Sequence, residues 1–345
     1  MASSRWVLER RRFARVTFSP PLRMLDISPS MLSAAASLPA MSAASSPSLR
    51  VGRSAGTPRP VTSIRDDDWR ALNAQYAAEG EALLARIATF PEPAREMIYL
   101  GVKKLVDYQH SDYARLYLDR LESLRQFEDG AGAALVLETA RYLALWMAFE
   151  DLPRVAQIKI SPERFERFRD EVRAEQDQQL GMVEFLHPRV EEFCGVMPAR
   201  MGSLVLGSPR LRRLLGLFAK PRYLRTNSLH GFLLLYLMAK LRRLRPYSLV
   251  YQLEHAQMEQ WLEAICAAAA KDQDLALELA RCGRLVKGYG DTRERGTGNL
   301  QRILEVYRQL QSLPGQAVSA LRDAAMADEG GAALAAVEAE LLARG

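Results

Sequence analysis

The chain of 345 residues has little of what most active centres are built from. Three cysteines are present, Cys194, Cys266 and Cys282, an odd number with no CxxC or CxxH pair among them. This excludes a local zinc or iron–sulfur motif. It points to a reducing compartment without disulfides, with each thiol a small apolar core residue. The four histidines, His110, His187, His230 and His255, fall in no HExxH pattern, and neither a GxSxG elbow nor a P-loop lysine occurs. Cys194, in Phe193-Cys194-Gly195, has no histidine or acid beside it that would make it a nucleophile. No catalytic residue and no metal ligand is expected. The nearest approach to a metal set is Glu254-His255 with Glu259 one turn on. Such a pair lacks the third and fourth ligands of a zinc site, and a solvated or ion-paired surface pair is expected instead.

Long apolar runs are also missing. The densest, Leu229 to Met238 with Lys240 behind it, falls far short of the roughly 20 residues that span a bilayer. It is expected to be a buried helix, and the chain a soluble, cytoplasmic one.

Acids are nearly absent from two stretches. Residues 1–60 hold nine arginines against Glu9 and Asp26, a net +7. Residues 193–253 hold eleven cations and no acid, among them Arg210, Arg212, Arg213, Arg222, Arg225 and Lys240. With +6 overall, the rest of the chain carries −12. The high isoelectric point, about 9.3, is thus the sum of two basic blocks on an acidic scaffold. The second block would attract an acidic protein or a phosphate-bearing cofactor, unless it pairs with the acidic remainder. Nucleic acid is disfavoured because aromatics do not interleave with the cations as stacking platforms. Membrane surfaces are disfavoured because no helix joins a clean apolar stripe to a uniformly basic back.

What is present is helical periodicity. Residues 1–61 are set apart as a disordered or non-native segment rich in Ser, Ala, Pro and Arg. A transit peptide, or a start at Met24, Met31 or Met41, would leave the same pattern. From residue 62 to 345 an all-α, multi-helix globular domain is expected. Asp66 to Asp68 cap a helix whose face is Trp69, Leu72, Tyr76, Leu83, Leu84 and Ile87, and Pro91 and Pro93 separate it from the next. Ser111, Ser161-Pro162 and Ser208-Pro209 are expected caps. Further helices are expected over 229–244, 248–270, 275–286 and 297–313, with two Ala-rich ones near the end. Strand signals are confined to Gln157–Ile160 and Leu204–Leu206, which excludes a nucleotide-binding sheet.

The most informative loop runs from Val286 to Gly296, where Gly288, Gly290 and Gly296 permit positive φ or close backbone approach. Lys287, Tyr289, Asp291, Thr292 and Arg293 stand among them. As a phosphate cradle the loop is weak, since no strand precedes it. It reads either as a contact site or as a helix end, tight turn and cap locked by Asp291 and the arginines.

Three stretches carry a resemblance. They are Leu105-Val106-Asp107-Tyr108-Gln109 with Tyr113-Ala114 and Tyr117-Leu118-Asp119-Arg120, then Leu224-Arg225-Thr226-Asn227-Ser228-Leu229 with Gly231-Phe232-Leu233-Leu234, and last Lys287-Gly288-Tyr289-Gly290-Asp291-Thr292. In this order they resemble the helical C-terminal region of the beta subunit of indolepyruvate ferredoxin oxidoreductase and its fused single-chain relatives. The likeness extends from about Asp66 to about Leu313.

The resemblance implies an accessory, non-catalytic component of an enzyme that oxidatively decarboxylates aryl 2-oxoacids. Such enzymes use thiamine diphosphate, coenzyme A and iron–sulfur clusters, here expected on a catalytic partner subunit, and they pass electrons to ferredoxin, a further candidate partner. The chain departs from the family where an α/β domain would precede the helical region. Contact candidates for a partner or ligand are Arg222, Arg225, Lys287, Gly288, Tyr289, Gly290, Asp291, Thr292 and Arg293. The alternative is a free-standing helical interaction or regulatory module without an enzymatic role, and a truncated form of the full subunit is a third reading.

Overall fold

A computed structural model describes residues 79–127, 133–173, 181–186, 188–217, 219–220, 222–288, 290–310 and 313–344. The expected boundary at residues 61 and 62, the caps Asp66–Asp68, His187 and Tyr289 lie outside the described residues.

The fold is all-α, with one small two-stranded sheet among the described residues. Residues 79–88 are helical, and α1 (Glu92–Tyr108) starts at the expected Pro91. Next come α2 (Ser111–Arg125), α3 (Ala134–Met147), α4 (Leu152–Lys159) and α5 (Pro162–Glu171). After β1 (Val183–Leu186) follow α6 (Val190–Val196), α7 (Ala199–Gly207), α8 (Pro209–Gly216) and β2 (Arg222–Arg225). Then come α9 (Leu229–Lys240), a 3-10 turn Leu241–Tyr247, α10 (Leu249–Ala269), α11 (Gln273–Arg281) and a second 3-10 turn Cys282–Leu285. The chain ends with α12 (Gly290–Gln309), α13 (Gly315–Ala327) and α14 (Ala332–Arg344).

Side-chain caps mark several helix starts. Ser161, Ser228 and Ser248 each accept a hydrogen bond from a backbone N–H three residues on. Ser208 stands at its expected cap position but makes no such side-chain bond. At α2 the cap is one residue earlier than expected: the His110 ring accepts from the Tyr113 N–H at 3.3 Å, which frees the Ser111 hydroxyl to bond Glu79.

The expected strand signals are overturned. Residues 157–159 belong to α4 and 204–206 to α7, where neighbouring helix pattern outweighs β-branched propensity. The strands are instead Val183–Leu186 and Arg222–Arg225, paired antiparallel with Phe185 opposite Tyr223.

Burial divides the domain into two unequal parts. One large core joins residues 79–149 to residues 258–334 and is centred on Trp146 and Trp261, whose rings lie 5.7 Å apart. Burying each such ring contributes about 3 kcal/mol, and the Trp261 indole N–H is satisfied by the Leu279 carbonyl at 2.8 Å. Cys194 and Cys282 are buried, Cys266 is half-buried, and all three are free thiols. Residues 152–253, which lie between these two stretches in the sequence, form a thin layer with little core of its own. Its own cluster is only Ala156, Leu235 and Ala239 with flanking Ile160, Leu224 and Met238, while α5 and α8 bury nothing.

The expectation of a buried helix at 229–238 is therefore corrected. α9 rests on α4 through Gly231, Leu235 and Ala239, one residue per turn, and its other faces are exposed. The density of leucine hid this, because an all-apolar helix gives no period that tells the inner face from the outer.

Candidate functional site

The Gly-rich segment is a helix start more than a loop. After the second 3-10 turn, Gly288 (φ +73) and Gly290 (φ +58) take left-handed conformations, and α12 begins at Gly290, well before the expected residue 297. A side chain at Gly296 would place its Cβ 2.1 Å from the Leu285 carbonyl oxygen, so α12 crosses the preceding turn where only glycine fits. The glycines thus serve a backbone crossing.

The charged residues of the segment divide. Arg293 forms a two-pronged ion pair with Glu254 of α10, and its guanidinium carbon lies 5.8 Å from the Phe149 ring centroid. Asp291 pairs with Arg189, just before α6, at 2.6 Å, although its side chain is 91% exposed. Lys287, Gly288 and Thr292 are exposed, and Gly290 is half-buried. Arg225 is exposed on β2, and Arg222 stands at the other end of that strand. β2 packs on β1 and α9, whereas α12 packs on the second 3-10 turn, α13 and α14. The eight candidates among the described residues therefore fall into two separate groups.

The helix α10 carries three adjoining polar clamps where a solvated or ion-paired surface pair is expected, and His255 is packed among them. Glu254 accepts from the Trp146 indole N–H at 2.6 Å as well as from Arg293. Glu259 accepts from the buried Arg120 of α2 at 2.5 and 3.0 Å. Arg120 Nη2 also lies 2.8 Å from His255 Nδ1, and a guanidinium only donates. His255 is therefore the neutral tautomer with its proton on Nε2, which it donates to the Tyr113 hydroxyl at 2.9 Å. That hydroxyl in turn donates to the Met147 carbonyl at 2.9 Å.

The electrostatics agree with this assignment. Burial, and then the Arg120 charge, hold the His255 imidazole well below its ordinary range. Burial likewise pushes the Tyr113 phenol well up and the Tyr251 phenol up to about 12, the latter stacked on His255 at 3.8 Å. Both ring nitrogens of His255 are occupied, and both glutamates are ion-paired, so these three side chains have no arrangement that ligates a metal. The described residues contain no group of three His, Cys, Asp or Glu that could hold one.

A fourth clamp was not legible at all. Arg245, in the acid-free block, is fully buried over the Tyr108 ring, 3.9 Å from its centroid. It bonds Asp151 twice, at 2.6 and 3.0 Å, and the Tyr108 carbonyl at 3.0 Å. Asp151 and Arg245 are 94 residues apart, and no local pattern joins them.

What remains open is the surface of the thin layer. Tyr223 and Leu229 are 77% and 78% exposed, and the outer faces of β1, β2 and α9 are apolar. Among the described residues no helix is long and apolar enough to cross a membrane. The arrangement can lock helices together and offer a face for binding.

No curated protein and no solved structure matches the chain. One family matches residues 94–306, which contain most of the large core, the four clamps and the whole thin layer. Spanning more than half of the sequence, this match places the chain in the family of unknown function DUF6537.

Proposed function

We propose that the chain is an accessory, non-catalytic component of an indolepyruvate or other aryl 2-oxoacid:ferredoxin oxidoreductase. In this reading thiamine diphosphate, coenzyme A and the iron–sulfur clusters reside on partner subunits, and the assembly works in the cytoplasm. The ordered likeness of the three stretches at 105–120, 224–234 and 287–292 to the beta subunit of such enzymes supports it, and the family match spans all three. The observation that carries it is the exposed apolar face of α9, directly after the Leu224–Leu229 stretch. A monomer rarely leaves so much contiguous apolar surface to water, and a subunit of a larger assembly does so routinely.

The test is isolation of the tagged full chain from its own cells at low ionic strength. A thiamine-dependent subunit should accompany it, and the isolate should reduce ferredoxin with indolepyruvate. Isolation with no oxidoreductase component would sink the reading and leave the free-standing interaction module in its place.

A further inference from the structure

We infer that the outer face of β1, β2 and α9 is a docking surface for a single partner protein with an apolar centre and a rim of carboxylates. Only the identity of that partner rests on the proposed function; the surface and its chemistry do not.

The apolar centre follows from helix and strand geometry. With Gly231, Leu235 and Ala239 facing α4, the residues Leu229, Phe232, Leu233, Tyr236 and Leu237 must face away, three or four apart. The stripe continues into the 3-10 turn as Leu241, Leu244 and Tyr247. On the two-stranded sheet, strand alternation puts Val183 and Phe185 on the same side as Tyr223 and Arg225, and the Phe185 and Tyr223 rings meet at 5.2 Å. The opposite side turns inward, where Glu184 is tied to Lys159 and Arg164. Three residues, Thr226 to Ser228, join strand to helix, and a Cβ on Gly231 would meet the Arg225 carbonyl at 1.9 Å. Sheet and helix are thus held as one platform.

The rim is basic and unspent. Lys240 lies over the Tyr236 ring, its Nζ 4.8 Å from the centroid. Arg242 and Arg243 sit between Leu241 and Leu244, and Arg225 beside Tyr223. None of these four has an ion-pair partner among the described residues, and from 193 to 253 no acid occurs. Among the described residues of that block, Arg212 and Arg245 pair within the chain, with Glu191 and Asp151.

Charge then selects the occupant. A second copy of the chain would set cations against cations, and the basic segment 1–60 would do the same. A membrane-surface helix needs a polar face turned to water, whereas the back of α9 is packed on α4. Nine of the eleven cations are arginine, the residue of bidentate carboxylate recognition, and the apolar centre they border exposes Tyr223, Phe232 and Tyr236, residue types enriched in protein interfaces. An acidic protein surface fits each of these observations.

A benzophenone amino acid placed at Leu233 or at Tyr223 of the full chain, in its own cells, tests the inference, with exposed Leu145 of α3 as the control position. Both docking positions should crosslink to one polypeptide whose joined segment is apolar and flanked by Asp and Glu, and Leu145 should not. Leu233→Asp with Leu237→Asp, and separately Arg242→Glu with Arg243→Glu, should weaken binding of the purified partner about tenfold or more. Their melting should stay near that of the unmodified chain, because Leu233, Leu237 and Arg243 are exposed and the half-buried Arg242 has no ion-pair partner among the described residues. Crosslinks to a second copy, to lipid or to nothing would overturn the inference. So would binding of the unmodified chain to phosphatidylglycerol vesicles in preference to the protein, or unchanged affinity in the charge reversal. A crosslinked acidic protein that is no oxidoreductase subunit would support the docking surface and overturn the proposed function.

Discussion

Arg293 and Glu254 meet through two parallel hydrogen bonds, Nε to Oε1 at 2.8 Å and Nη2 to Oε2 at 2.6 Å, with both side chains mostly out of water. This pair ties the start of α12 to the middle of α10, and through Glu254 it also holds Trp146 of the core. Of the residues singled out in the Gly-rich segment, Arg293 is thus a structural one.

Arg293→Ala is expected to lower the unfolding free energy by about 2–3 kcal/mol, since it leaves a largely buried carboxylate short of its cation. Lys287→Ala and Asp291→Ala, both at exposed positions, should leave the urea midpoint nearly unchanged. An Arg293→Ala midpoint equal to that of the unmodified chain would contradict the lock.

His255 makes stability depend on pH in one direction. In the unfolded chain the imidazole takes a proton below about pH 6.5. In the fold, burial and the adjacent Arg120 keep it neutral well below that, while Glu259 beyond Arg120 is already ion-paired. The unfolded state binds the extra proton, so stability is complete above about pH 6.5 and declines as the pH falls, by up to about 1.4 kcal/mol per unit. Urea unfolding between about pH 5 and pH 7 should show this slope, and His255→Gln should flatten it. An equal slope in both proteins would place the titration elsewhere.

Asp151 and Arg245 should behave as one unit. Asp151→Asn keeps an N-cap for α4 but leaves Arg245 buried without its counter-charge, at an expected cost of about 3–5 kcal/mol. Arg245→Met should cost a similar amount, and the double variant clearly less than the sum. Additive losses in denaturant unfolding would show that the pair is not coupled.

Two glycines of α12 should respond oppositely to alanine. At Gly296 the new methyl would press on the Leu285 carbonyl, and a loss of about 1–3 kcal/mol is expected. At Gly298 nothing lies within 4 Å, so the higher helix propensity of alanine should raise stability by roughly 0.5–1 kcal/mol. Thermal melts of the two variants side by side decide the matter.

The sequence by itself determined the local features of this protein. Spacing of apolar residues marked most helices, and Ser-Pro and proline signals marked starts at α1, α5 and α8, because caps and periods are set by residues a few positions apart. It determined too that the acid-free block exists, since charge is a sum over residues. The tertiary structure decided what those features are used for. It turned the leucine-rich α9 from an expected core helix into an exposed face, because burial depends on whether enough neighbours pack around it, and the layer 152–253 supplies too few. It turned Glu254, His255 and Glu259 into clamps through Arg293, Tyr113 and Arg120, partners 39 to 142 residues away that no spacing rule brings together. Arg222 and Arg225 stand apart from the segment at 287–293 for the same reason: proximity across the fold is a property of packing, and only the packed chain has it.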